Sequence, residues 1–281
     1  MTMTETRPRE AADDGHAANS LTMPGRHRVV HGSDRIRFVM RGIGQALVTA
    51  GVIVLLFVVY ELWVTNIFAH QKQVRVRSVL EQQWAQGDDP LVGRLNLPGS
   101  RQSTIPAGQG IANLYVPRLG SDYRFTIVQG VDGASLEEGP GHYPTTQLPG
   151  QAGNFAVAGH RVGKGEPFLN LDQLRAGDPV VIETKSTWFV YRVLGDVATG
   201  DPTVAGVDGV PGRQIVAPSD VAVIDPVPGR PGARPTESLM TMTTCHPKFT
   251  ANQRMIVHAA LSRAVVRNGN QLPKELVGGT I

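Results

Sequence analysis

Hydrophobic and polar positions divide this chain into three regimes. From Gly42 to Tyr60 no charge interrupts a run dominated by Val, Leu, Ile, Ala and Phe. At ~1.5 Å per helical residue, that run nearly spans the ~30 Å hydrocarbon layer of a bilayer. Trp63, just beyond it, suits the membrane–water interface. From Gln71 to Gln86, apolar residues are sparse: Val76, Leu80 and Trp84 recur at spacings of four, which permits a helix. The polarity of the rest makes a solvated stalk the preferred reading. Beyond Gly110 the chain changes to short apolar runs bounded by Gly and Pro, the pattern of β-strands.

Strands are expected at Ile111–Val116, Tyr123–Gln129 and Asn154–Gly159. A hairpin is expected from Pro179–Thr184 and Trp188–Leu194, turning at Lys185-Ser186. Asp132–Glu138 and Phe168–Leu174 read as short helices. Thr199–Glu237 carries seven prolines and reads as a long irregular loop, with a brief strand at Val221–Ile224. A strand ending at Cys245, a polar turn containing Pro247, and a strand from Met255 to Leu261 complete the series. Many short strands without interleaved long helices predict an antiparallel sheet closed into a barrel.

The predicted organisation is a disordered basic tail at 1–41, a transmembrane anchor at 42–64, a stalk and Pro/Gly-rich linker at 65–109, a β-domain at 110–265, and a frayed tail at 266–281. Arg26, Arg28, Arg35, Arg37 and Arg41 precede the apolar run, against Lys72, Arg75 and Arg77 after it. That bias places the N-terminus in the cytoplasm and the β-domain outside. A cleaved signal peptide fits less well, because a 41-residue polar lead is long and no small-x-small cleavage site follows.

Composition narrows the chemistry. The net charge is +3 and the basic residues are scattered, so no nucleic-acid patch is expected. There is a single cysteine, which excludes an internal disulfide and any CxxC metal site. No HExxH motif, no calcium-type acidic loop and no phosphate-binding glycine loop is present, so neither metal nor cofactor is expected. Cys245 ends one strand and Arg254 begins the next, so a hairpin brings thiol and guanidinium to one mouth. A permanent positive charge there favours the nucleophilic thiolate.

The segment Thr241-Met242-Thr243-Thr244-Cys245 resembles the T-L-x-T-C signature of sortases, cysteine transpeptidases of Gram-positive cell envelopes. Met242 stands where that family usually has leucine, a swap that conserves volume. The family's histidine matches His160, in Asn154-Phe-Ala-Val-Ala-Gly-His160-Arg161, and its arginine matches Arg254. Gly139-Pro-Gly-His-Tyr-Pro144, Leu148-Pro-Gly-Gln151 and Cys245-His-Pro-Lys-Phe249 look most like class E sortases of high-GC Gram-positive bacteria.

The resemblance implies a closed eight-stranded β-barrel with short helices, preceded here by the single transmembrane helix. It implies Cys245 as nucleophile, His160 as acid/base and Arg254 as the group holding the substrate carbonyl and oxyanion. Thr244, His142 and Tyr143 are candidates for substrate contact, and the long loop before Cys245 for a wall of the peptide groove. His246 and His258 are rivals to His160; the first points elsewhere on an extended chain, while the second shares the face of Arg254. The implied partners are secreted proteins bearing an LAxTG or LPxTG type of C-terminal signal, and a peptidoglycan precursor or other amine as acceptor. A pilin lysine as acceptor, water as acceptor, and a non-catalytic peptide-binding barrel are the alternatives.

Overall fold

The computed structural model describes residues 32–60, 65–91, 105–163, 165–269 and 271–277. The expected tail through residue 31, Trp63, the middle of the linker at 92–104 and Gly278-Gly279 lie outside the described residues. The chain divides into two compact units, Met1–Val54 and Leu55–Ile281.

Helix α1 covers Gly32–Val59. Its stretch Arg35–Val59 has a mean hydropathy of 2.4 and is unburied, so it is long and apolar enough to cross a membrane. This fits a single-pass anchor.

Among the described residues nine strands follow: β1 (Gly110–Tyr115), β2 (Arg124–Gln129), β3 (Gly141–His142), β4 (Gly153–Ala158), β5 (Pro179–Glu183), β6 (Thr187–Val193), β7 (Arg213–Val216), β8 (Ser238–His246) and β9 (Gln253–Val266). Among the described residues, eight form a ring in the order β6-β5-β1-β2-β3-β4-β8-β9, closed by β6 against β9. The β2–β3 and β4–β8 pairs are parallel; the others are antiparallel. The expected closed eight-stranded barrel is therefore the fold. β9 is long because it serves twice: Arg254–Val257 pairs with β7, and Ala259–Val266 pairs with β6. β7 thus lies beside the ring rather than in it.

Strand alternation fills the inside with Leu114, Ile127, Phe155, Val157, Tyr191, Met240, Met242, Met255 and Val257. Full burial of each large side chain contributes ~1.5–3 kcal/mol. Every residue of β4 is buried, on both faces, because Val221–Ile224 covers its outside. That covering segment is a 3-10 turn, not the expected strand. Likewise, only Leu171–Gln173 of the expected helix at Phe168–Leu174 is helical, as a 3-10 turn. The helix α3, at Gly133–Glu138, forms as expected, with Asp132 capping Ala134 and Ser135.

The solvated stalk is corrected by helix α2 (Thr65–Ala85), which lies against β1, β2 and α3. Its buried stripe is Ala69, Gln73, Leu80 and Trp84. Gln73 is the key to docking. At Thr126 the outer edge of β2 has no strand neighbour. The Gln73 amide fills it, accepting from Thr126 N at 2.7 Å and donating to Thr126 O at 3.1 Å. A buried strand edge is thereby satisfied by a side chain. The linker is anchored at both ends too, since Leu91 and Ile105 belong to the barrel core.

The frayed C-terminus is corrected in the same way. Glu275, in the 3-10 turn Lys274–Leu276, is nearly buried between Arg192 (2.9 Å) and Arg263 (2.5 Å). Leu276 packs on the cluster of Val181, Trp188 and Val190. Residues 271–277 are thus strapped to the barrel.

Candidate active site

Cys245 and Arg254 are register partners on the β8–β9 ladder. Met240 and Met242 point inward, so alternation places Thr241, Thr243 and Cys245 on the outer face. Their cross-strand partners His258, Ile256 and Arg254 share that face. Cys245 is half-buried and in no disulfide. The Arg254 guanidinium donates to the carbonyls of Ala251 at 2.9 Å and Gln253 at 2.8 Å, which fixes it to the β8–β9 loop.

His160 lies two residues beyond the end of β4. The parallel β4–β8 ladder ends at Ala158↔Thr243, and continuing its register pairs position 160 with position 245. Gly159 N still reaches Thr243 O at 3.0 Å. Beyond that point no ladder bond joins the strands, and side chains take over. Thr244 donates its hydroxyl to the Gly159 carbonyl at 2.8 Å. Arg161 reaches back to Cys245 O at 3.4 Å and His246 Nδ1 at 2.8 Å. Gly159 is required here: a Cβ would stand 2.5 Å from the Phe168 ring. The thiol, guanidinium and imidazole are therefore carried by adjoining segments at one end of the β4–β8–β9 wall.

The other candidates separate. Tyr143 follows β3 on the outer face, its hydroxyl 2.9 Å from Thr243 Oγ1. His142 is not brought to the site. It pairs with inward-facing Val157 and stacks on Phe155 at 5.2 Å between centroids. Its Nδ1 lies 2.9 Å from Gln129 Oε1 and its Nε2 3.1 Å from Gln147 O. Burial lowers its pKa from 6.5 to about 4, so the ring is neutral at physiological pH. Thr244 is buried, with its hydroxyl committed to Gly159 rather than to solvent.

His258 shares the face of Arg254, as the spacing suggests, but it is sealed. Gln214 of β7 donates to its Nε2 at 3.0 Å, and its Nδ1 faces Thr241 Oγ1 at 2.8 Å. Thr241 donates to Asn154 Oδ1 at 2.8 Å, and Asn154 Nδ2 donates to Asp225 O at 3.0 Å. Burial pushes its pKa down to about 3. This neutral chain ties the Pro-rich segment, through β7 and Asp225, to the wall beneath the thiol. Sequence reasoning missed Gln214 and Asn154, because a short β7 inside a proline-rich stretch carries little strand signal.

Among the described residues, no group of three or more His, Cys, Asp or Glu side chains is placed to hold a metal. The arrangement offers a nucleophile, a permanent cation and an imidazole: the parts for acyl transfer.

Comparison with known proteins agrees. The family model described as "Sortase domain" matches residues 114–262. The chain is 38% identical to Sortase SrtE1 of Streptomyces coelicolor over 77% of its own length, but spans only 55% of that protein. It is 32% identical to Sortase SrtE2 of the same organism, covering 83% of this chain and 87% of that one. Among solved structures, the SrtF sortase from Corynebacterium diphtheriae is 41% identical with a TM-score of 0.54, covering 64% of this chain and 98% of that one. Sortase E1 from Streptomyces coelicolor, solved with a tripeptide in its active site, is 32% identical with a TM-score of 0.50, covering 62% and 100%.

Proposed function

Because the chain belongs to the sortase family, with class E relatives, we propose that it is a membrane-anchored transpeptidase whose nucleophile is Cys245. The observation that carries this reading is the register pairing of Cys245 with Arg254, with His160 two residues past the end of the adjoining strand β4. The tripeptide held in the active site of sortase E1 supports a peptide as substrate here.

The substrate is the C-terminal sorting signal of a secreted protein, of LAxTG or LPxTG type. The Cys245 thiolate attacks the carbonyl carbon of the Thr–Gly bond. Arg254 faces the carbonyl oxygen as it gains negative charge, a role suited to a group that cannot deprotonate. His160 protonates the departing glycine amine, and the C–N bond breaks to leave a thioester. An amine, assigned to a peptidoglycan precursor, then attacks the thioester; its proton passes to His160 and the thiolate is released. Tyr143 and the Pro-rich segment flank the signal peptide, and α1 holds the enzyme in the membrane with its N-terminus cytoplasmic.

The test is to incubate the full chain with LAxTG and LPxTG peptides and an excess of a glycyl amine, reading products by mass. Transfer to the amine, lost in Cys245→Ala, is the expected result, with LAxTG favoured. Cleavage without transfer would replace the transpeptidase with a hydrolase. The absence of any covalent adduct on Cys245 would leave a peptide-binding barrel.

A further inference from the structure

Resting on the transpeptidase reading, we propose that Arg161 is a positioning residue that locks the His160 segment to the nucleophile strand. The need for such a lock is visible in the ladder. Strands β4 and β8 share backbone bonds only as far as Gly159 and Thr243. The two groups that must exchange a proton during acyl transfer both lie past that last bond. Cys245 stays on its ladder with β9, and the His160 carbonyl accepts from Phe168 N at 3.0 Å, so each is tied to its own neighbour, but no ladder bond ties one to the other.

Two side chains bridge the gap in opposite directions. Thr244, before Cys245, reaches the carbonyl of Gly159, before His160. Arg161, after His160, reaches the carbonyl of Cys245 and the ring of His246. The His246 contact, at 2.8 Å, is the stronger tie; the Cys245 contact, at 3.4 Å, is at the limit of a hydrogen bond. Its other terminal nitrogen pairs with Asp172 at 3.1 Å, in the 3-10 turn that follows the His160 loop. One guanidinium fork thus spans three segments. Its side chain is only 4% exposed, which removes it from competition with water.

The planar fork suits this task because it makes several bonds from one rigid group. The contact with Nδ1 also fixes His246 as the neutral tautomer with its proton on Nε2, since Arg161 can only donate. Arg161 touches no reacting atom in this arrangement. It acts on His160 and Cys245 through the backbone on either side of them.

The experiment compares Arg161→Met, Arg161→Lys, His246→Ala and the Arg161→Met/His246→Ala double variant in the full chain. Three readouts are taken: melting temperature, kcat and KM for peptide transfer, and the rate of Cys245 alkylation by iodoacetamide. The melting temperature stays near that of the parent. For Arg161→Met, kcat falls about 100-fold with little change in KM, the scale expected for ångström-level misplacement of a catalytic pair. Alkylation slows about tenfold, because the thiol is no longer held in place beside the imidazole. Arg161→Lys, with one ammonium for a fork, is intermediate. The double variant is no worse than Arg161→Met alone, since both changes remove one shared contact.

A folded Arg161→Met protein with unchanged kcat and unchanged alkylation overturns the lock, as do additive losses in the double variant. Should Arg161→Met fail to fold, Arg161→Lys carries the same comparison. If the parent chain transfers no peptide, yet its alkylation still slows on Arg161 substitution, the lock stands and the transpeptidase reading falls.

Discussion

Two walls of the same barrel bury polar groups in opposite ways. On the β1–β5–β6 side, beneath α2 and the C-terminal strap, a buried carboxylate gathers several partners. Glu183 accepts from Asn113 at 2.8 Å and Tyr115 at 2.7 Å, and pairs with Arg267 at 3.0 Å and Arg124 at 3.6 Å. Arg267 also lies over Trp84 and Trp188. On the β4–β8–β9 side the buried chain of Gln214, His258, Thr241 and Asn154 is neutral throughout. Charge is kept for its mouth, at Arg254 and Arg161. The lesson is that a buried charge with several partners fastens the scaffold, whereas beneath the thiol neutral dipoles do that work and charge stands at the mouth, where Arg161 pairs with Asp172.

The sharpest separation comes from Cys245→Ala. Peptide transfer should fall by at least about 10⁴-fold, the scale for losing a nucleophile, with the melting temperature nearly unchanged. Acyl-enzyme mass and calorimetry on one preparation check both halves. The mirror-image change is Glu183→Ala. It leaves Asn113 and two half-buried arginines without their carboxylate and should cost ~1–3 kcal/mol of stability, while the alkylation rate of Cys245 in the still-folded protein stays at the parent value. If alkylation slowed as well, the two walls would not be independent.

Gly159→Ala should blur the contrast, because the new methyl meets the Phe168 ring beside His160. Overpacking of this kind costs ~1–3 kcal/mol, and here it should lower kcat as well as the denaturation midpoint. Acid should distinguish the walls next. His142 and His258 have pKa values depressed from 6.5 to about 4 and about 3. The unfolded chain therefore binds more protons than the folded one below pH 6.5. Stability is full above that pH and declines as pH falls toward 4 and then 3. Each histidine contributes a slope of ~1.4 kcal/mol per pH unit in its window. Replacing His258 by Gln should remove one of the two slopes, as thermal melts between pH 7 and pH 5 would report. The smallest effect belongs to the surface: Lys72→Ala, which breaks a partly exposed pair with Glu137 and Glu138, should change stability by under ~1 kcal/mol.

How far the sequence reached follows the same physical divide. Where hydrophobic period decides structure, the expectations agree with the structure: β1, β2, the β5–β6 hairpin and the β8–β9 pair, including the meeting of Cys245 with Arg254. Where polar side chains decide it, they do not. Helix α2 reads as solvated because Gln73, a residue usually exposed, is its central anchor. The C-terminal strap reads as frayed because Glu275 owes its burial to Arg263 on β9 and to Arg192, 83 residues earlier in the chain. Arg161 carries no signal beyond its place next to His160, since a buried arginine and a surface arginine look alike in a sequence. His142 shows the opposite error: a histidine in a Gly/Pro loop reads as exposed, yet register turns it inward onto Phe155.

The double duty of β9 has a consequence for how the molecule comes into being. Among the described strands β9 comes last in chain order, and it supplies both the Arg254 position and the seam that joins Thr187 to Val266. Until it docks, the barrel is open and the thiol has no guanidinium across from it. Reactivity and closure thus arrive in one late step, after every other strand of the ring has been synthesised. A chain cut short before Gln253 would carry the cysteine but neither the seam nor the cation, so unfinished copies would be chemically quiet as well as unfolded.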